Sequence, residues 1–174
     1  MEQVGYDTYC RLLDEVVKEM QGLEVEAEKE IQIDVNISCF IPDEYIENSS
    51  QKIEVYQDIA ESKTEEDIKD IIDELIDRYG KIPDEVYNLI EIARIKQLCK
   101  KANVIKIVQR RESAAFYFDN GKFNTDVLDK IIKIYNNKIK FTPGKDTYIS
   151  LSLESNSSQN VIDDIKNFLN HIIG

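Results

Sequence analysis

One histidine, three cysteines and no apolar run long enough to span a membrane set the first limits on this 174-residue sequence. The lone histidine, His171, lies near the last residue, where it reads as a surface residue rather than a general base. There is no Gly-x-Ser-x-Gly elbow, no His-Glu-x-x-His pair and no paired-carboxylate pattern. The sequence therefore predicts no catalytic residues and no enzyme. The segment PGKDT has the Gly-Lys of a phosphate loop but not its other parts. Ile139 stands where the first glycine belongs, and Asp146 follows Lys145 where Ser or Thr is required, so it reads as a β-turn. Cys10, Cys39 and Cys99 are far apart and form no C-x-x-C pair. That spacing suits reduced thiols in a cytoplasmic protein better than a disulfide framework or a zinc site. No basic stretch followed by an apolar one opens the chain, so no secretion signal is expected.

What is present suffices for a packed core: 42% of residues are hydrophobic. The length fits one large domain or two small ones. The net charge of −12 is unevenly spread. Residues 1–87 carry 25 acids and 8 bases, whereas residues 88–174 carry 9 acids and 14 bases. Such asymmetry implies two differently charged surfaces, or acids that serve solubility alone. The overall pI near 4.6 argues against a dedicated nucleic-acid binder.

Periodicity gives the elements. A first helix is predicted at GYDTYCRLLDEVVKEMQG, closed by Gly22. IQIDVNI alternates like a strand with Ile31, Ile33, Val35 and Ile37 on one face, ended by Pro42. SSQKIEVYQDIAES reads as a helix capped by Ser49 or Ser50, with Ile53, Tyr56 and Ile59 inward. The next helix has Thr64 and Asp67 as a capping box and Gly80 as its stop. Its apolar stripe is Ile68, Ile71, Ile72, Leu75, Ile76 and Tyr79. Pro83 starts a further helix running to about Lys101. VIKIVQ and AAFYF are strands joined by a turn, and Asn120-Gly121 makes another turn. A helix at NTDVLDKIIKIYNN using Leu128, Ile131, Ile132 and Tyr135, a hairpin around PGKD, and a final amphipathic helix with Val161, Ile162, Ile165, Phe168, Leu169 and Ile172 inside follow. The C-terminal part is thus β-β-α-β-β-α. The predicted class is α+β, with helices packed on a small, mostly antiparallel sheet.

Two charged features remain. The helix over 64–79 holds seven acids and two bases. At helical spacing Glu66, Asp70, Asp73, Glu74 and Asp77 fall within about 100° of one another, opposite the apolar stripe. Glu65 with Lys69 and Glu74 with Arg78 are favourable i,i+4 pairs. Glu66 with Asp70, Asp70 with Glu74 and Asp73 with Asp77 are like-charge pairs, each costing about 0.2–0.5 kcal/mol. Asp77 also opposes the helix dipole. This face is either simply solvated or a partner-binding surface. The second feature is basic: Arg94, Lys96, Lys100, Lys101, Lys106, Arg110 and Arg111 follow one another with no acid from Ile92 to Arg111. Lys100, Lys101, Arg110 and Arg111 are candidate anion contacts, which would make the chain a nucleic-acid-binding module. The alternative is charge placed at a helix end and a strand edge.

EQVGYDTYCRLLDEVV, CFIPDEYI, VYQDIAESKTEEDIKDIIDELIDRYGKIPDEVYNLIEIARIK and NVIKI together resemble the C-terminal end of the bacterial transcription-repair coupling factors (Mfd). The resemblance is specific over about residues 3–107 and rests beyond that on the strand-helix pattern. It implies that residues 1–24 resemble the end of a motor's translocation region plus a linker, and 25–174 a C-terminal regulatory domain. The parent would be an ATP- and magnesium-dependent double-stranded DNA translocase that acts on stalled RNA polymerase and recruits UvrA in nucleotide-excision repair. The domain itself would be non-catalytic, monomeric and without a cofactor. It would pack against a UvrB-like module of the same chain, mask the UvrA-binding surface and restrain the ATPase. The family's interdomain contact lies in the segment E-L-I-D-R-[F/Y]-G, which places it at Glu74 and Asp77. Asp70 and Asp73 extend that surface on helical geometry alone.

Overall fold

Hydrophobic periodicity of 3.6 and of 2 alternates along the chain, and the architecture follows it. The computed structural model describes residues 30–119 and 123–174. The predicted first helix, Cys10, the 1–24 segment and the Asn120-Gly121 turn lie outside the described residues. The chain divides into two compact units, one containing residues 37–94, the other residues 30–36 with 95–174. No helix among the described residues is long and apolar enough to cross a membrane.

The first unit is helical. Helix α1 spans Ser49–Glu61 and α2 spans Glu65–Tyr79. Helix α3 spans Asp84–Ala102, its turns up to Arg94 belonging to this unit and the rest to the other. The cap of α1 is Asn48, whose Oδ1 accepts the Gln51 N–H at 3.1 Å, rather than Ser49 or Ser50. The inward residues of α1 are Val55 and Ile59, with Tyr56 half-buried and accepting the Ile41 N–H on its hydroxyl at 2.8 Å. Ile53, expected inside, is 45% exposed. It lies about 160° around the helix from Val55, on the other side. Pro42 forms a turn through its carbonyl, which accepts the N–H groups of Tyr45 and Ile46. Pro83 caps α3 from just outside, its carbonyl accepting from Val86 and Tyr87. Within this unit α3 buries Val86, Leu89, Ile90, Ile92 and Ala93, so it forms the core element.

The second unit is a five-stranded sheet with helices. Strands β1 (Gln32–Asp34), β2 (Val104–Arg110), β3 (Ser113–Phe118), β4 (Ile139–Thr142) and β5 (Tyr148–Ser152) lie in the order β1-β2-β3-β5-β4. Among the described residues only β1–β2 is parallel, and the other three pairings are antiparallel. Strand β1 is shorter than the alternating heptapeptide suggested. Beyond Asp34 the Asn36 N–H goes to the Gln109 side chain at 2.9 Å. Helix α4 spans Thr125–Tyr135 and α5 spans Ser158–Ile173. All six predicted inward residues of α5 are buried: Val161, Ile162, Ile165, Phe168, Leu169 and Ile172. Phe168 meets Phe116 of β3 at 4.4 Å between ring centres, which fixes α5 on the face formed by Ile107, Phe116 and Ile149. On α4, Ile131 is buried but Ile132 is 45% exposed, so the apolar stripe is narrower than its periodicity implied. The predicted α+β class and the β-β-α-β-β-α C-terminal part hold.

Candidate docking site

Helix α2 begins with a complete capping box. The Asp67 N–H donates to Thr64 Oγ1 at 3.1 Å, and Asp67 Oδ2 accepts the N–H groups of Lys63 and Thr64 at 2.9 and 3.0 Å. Those backbone donors, Lys63 first, hold the Asp67 carboxyl below its ordinary range. The helix ends at Gly80, whose φ of +85° a side chain would resist. The Tyr45 hydroxyl secures that end by donating to the carbonyls of Leu75 and Gly80 at 3.2 and 3.1 Å. Ile68 and Leu75 are buried, and Ile76 is 47% exposed. The helix is thus anchored along one line and open on the other side.

On that open side Glu66, Asp70, Asp73, Glu74 and Asp77 are all exposed. Glu74 pairs with Arg78 at 3.3 Å, as its spacing predicted. Glu65 goes to Arg94 on α3 at 2.6 Å. Arg94 is also paired with Glu91, so its charge is used inside this unit and leaves the basic stretch. Burial opposes that charge, but the two carboxylates outweigh it and hold the guanidinium pKa above its ordinary value.

The acidic surface is wider than α2. Glu54 and Asp58 of α1 line a small cleft with Ile71, Glu74, Leu75, Arg78 and Tyr79 of α2. Its free volume of about 10 Å³ holds at most one water. Burial, then Glu74, Glu54 and Glu61, push the Asp58 carboxyl above its usual range. The Tyr79 hydroxyl oxygen is buried there with no hydrogen-bond partner among the described residues. The sequence held a signal for this extension: Glu54 and Asp58 are themselves a like-charge i,i+4 pair.

The basic candidates do not converge. Lys100 and Lys101 are exposed in the last turn of α3, whereas Arg110 and Arg111 are exposed at the tip of the β2–β3 hairpin. The length of β2 separates the two pairs by about 20 Å. Arg111 takes the turn's positive φ, +51°. Cys99 is buried, and burial pushes its thiol far up, so it stays protonated. His171 is half-buried rather than frayed, its Nδ1 2.7 Å from the Tyr135 hydroxyl. Among the described residues no group of His, Cys, Asp or Glu is arranged to hold a metal ion.

A family model described as the TRCF domain matches residues 35–127. The transcription-repair-coupling factor of Borreliella burgdorferi is 32% identical over 134 residues, covering 77% of this chain and 12% of the relative. That of Staphylococcus haemolyticus is 40% identical over 98 residues, covering 55% of this chain and 8% of the relative. This chain therefore spans about a tenth of the length of these relatives. A crystal structure of the C-terminal domain of transcription-repair coupling factor superposes with a TM-score of 0.74 at 22% identity, covering 83% of this chain and 92% of the other. That likeness is one of fold. With more than half of its residues matched by the family model, the chain belongs to the TRCF domain family.

Proposed function

We propose that this chain is a non-catalytic regulatory domain of a transcription-coupled repair translocase, and that the acidic face of α2 is its docking surface. The observation that carries the reading is the crowding of exposed acids at i,i+4 spacing, with Glu74 and Asp77 at its centre and Asp70 and Asp73 beside them. Each such pair weakens the helix. A face kept only in water gains nothing from that cost, whereas a basic partner surface converts it into attraction.

The partner in this reading is the UvrB-like module of the same parent chain. Docking would cover the surface that UvrA binds and hold the ATP-driven motor back until RNA polymerase is engaged. Two exposed ion pairs supply only about 0–2 kcal/mol. Ile76, 47% exposed and about 60° around the helix from Asp73, adds an apolar rim. A closed state favoured by a few kcal/mol remains switchable. The test is the double substitution Glu74→Lys with Asp77→Lys in the full-length parent. UvrA affinity and basal ATPase should both rise. Wild-type values of both, in a folded protein, would remove the reading.

A further inference from the structure

No aromatic residue lies between Ile92 and Arg111 along the chain, but the sheet register brings aromatic residues to this basic stretch. One face of the sheet is the α5-covered face of Ile107, Phe116 and Ile149. By the alternation of strands, the opposite face carries the intervening residues. Lys106 of β2, Tyr117 of β3 and Tyr148 of β5 stand side by side in register across three adjacent strands. A bulge between Val104 and Lys106 is what places Lys106 opposite Tyr117. The two tyrosine rings lie 5.0 Å apart at 32°, and the Lys106 ammonium sits 5.5 Å from the centre of the Tyr117 ring.

Small side chains adjoin this row. Ala115 lies between Val108 and Ser150, and Ser113 between Arg110 and Ser152. Arg110 and, on the edge strand β4, Lys140 are exposed and share the face by register. The result is a tilted aromatic pair on a half-buried sheet surface, with cations at three points around it and small residues alongside. Asp34, next to Val108 on β1, is an acid on this face. Residues 95–174 hold 13 bases against 8 acids, opposite in sign to the chain as a whole.

We infer that this sheet face binds single-stranded nucleic acid, the tyrosines stacking on bases and Lys106, Arg110 and Lys140 meeting phosphates. A base has a π-face whatever its identity, so stacking tolerates sequence, while phosphates supply the charge that three cations complement. A duplex hides its base faces within the stack and offers this surface only its backbone. Lys106 now lies over one face of Tyr117. An arriving base displaces it towards the adjoining phosphate, exchanging a cation–π contact for an ion pair. The acids of α2 play no part, so the failure of either proposal leaves the other standing.

The experiment is fluorescence anisotropy of labelled oligothymidylate and oligouridylate, each about 12 nucleotides, titrated with the chain at low salt. Binding of either is expected, with affinity falling roughly twenty-fold between about 50 and about 200 mM salt, as three phosphate contacts require. Tyr117→Ala with Tyr148→Ala should weaken it at least about ten-fold, while Tyr148→Phe should bind as wild type. Lys106→Gln should reduce the salt slope by about 0.7. Arg110→Glu with Lys140→Glu alters only exposed side chains, so it tests the charge without disturbing the sheet, and should abolish binding. No binding at low salt, equal affinity for the matching duplex, or wild-type affinity in the folded tyrosine or charge variants would overturn the inference.

Discussion

The two units of this chain solve the problem of charge in opposite ways. Residues 37–94 hold 16 acids and 6 bases, so the acids far outnumber the bases that could pair them. Arg94 is drawn to Glu65 and Glu91, Arg78 to Glu74, and the remaining acids of α2 crowd one another on an open face. Residues 95–174 are net basic, and their cations are spaced out: at the end of α3, at a hairpin tip, over an aromatic ring and on an edge strand. Crowded like charges weaken the element that bears them, whereas dispersed ones cost little. The acidic unit therefore depends on caps and buried contacts to hold α2 against its own surface. The basic unit depends on its aromatic layer and is nearly indifferent to its charges.

The strongest way to break that contrast is to remove the aromatic layer. Phe168 is fully buried and meets both Phe116 and, at 5.3 Å, Tyr135. Phe168→Ala leaves a cavity between α5 and the sheet and should cost about 3–5 kcal/mol, read as a lowered urea midpoint. A loss below about 1 kcal/mol would mean that the layer does not organise this unit.

The contrast also explains what the sequence disclosed. Helices α2 and α5 were readable because their stripes, caps and stop residues agree: Thr64, Asp67 and Gly80 perform the predicted roles, and six of six inward residues on α5 are buried. Ile53, Ile76 and Ile132 were misplaced because periodicity marks a stripe but not how far the partner surface covers it. The acidic face was legible since i,i+4 neighbours on a helix are fixed by local geometry. Its continuation onto Glu54 and Asp58 required knowing that α1 lies beside α2. The Lys106–Tyr117–Tyr148 row was not legible at all. Those residues are 11 and 31 positions apart, and only strand order and a bulge align them.

The acidic unit is sharpened by its cap. Thr64→Ala leaves the Asp67 N–H without its acceptor and should destabilise the protein by about 1 kcal/mol. The pH response separates the two perturbed acids near α2. Asp67 has its pKa lowered by hydrogen bonds made in the folded state, so its stabilisation is present at neutral pH and is lost as pH falls through that lowered value. Asp58 has its pKa raised, so its charged form is penalised at neutral pH and the penalty is relieved as pH falls through the raised value. Asp58→Asn should accordingly raise the urea midpoint at pH 7 and lose that advantage on acidification, whereas Asp67→Asn should lower the midpoint at pH 7. The same pH trend in both variants would contradict the assignment.

The smallest effect is the most discriminating one. Asp70 lies one helical turn from Glu66 and from Glu74, so it takes part in two like-charge pairs at once. Asp70→Asn keeps the shape and nearly the same helix propensity while removing both repulsions. It should stabilise the chain by about 0.5 kcal/mol, and salt near 1 M should erase most of the gain by screening the same charges in the parent sequence. The basic unit offers the control: Lys140→Gln, on an exposed edge position, should change stability by less than about 0.5 kcal/mol and show no such salt dependence. A gain at Asp70 that persists in high salt would point to packing or propensity rather than charge, and the acidic face would then carry no repulsion for a partner to relieve. A gain that disappears measures directly how much stability this helix forgoes by keeping its acids together.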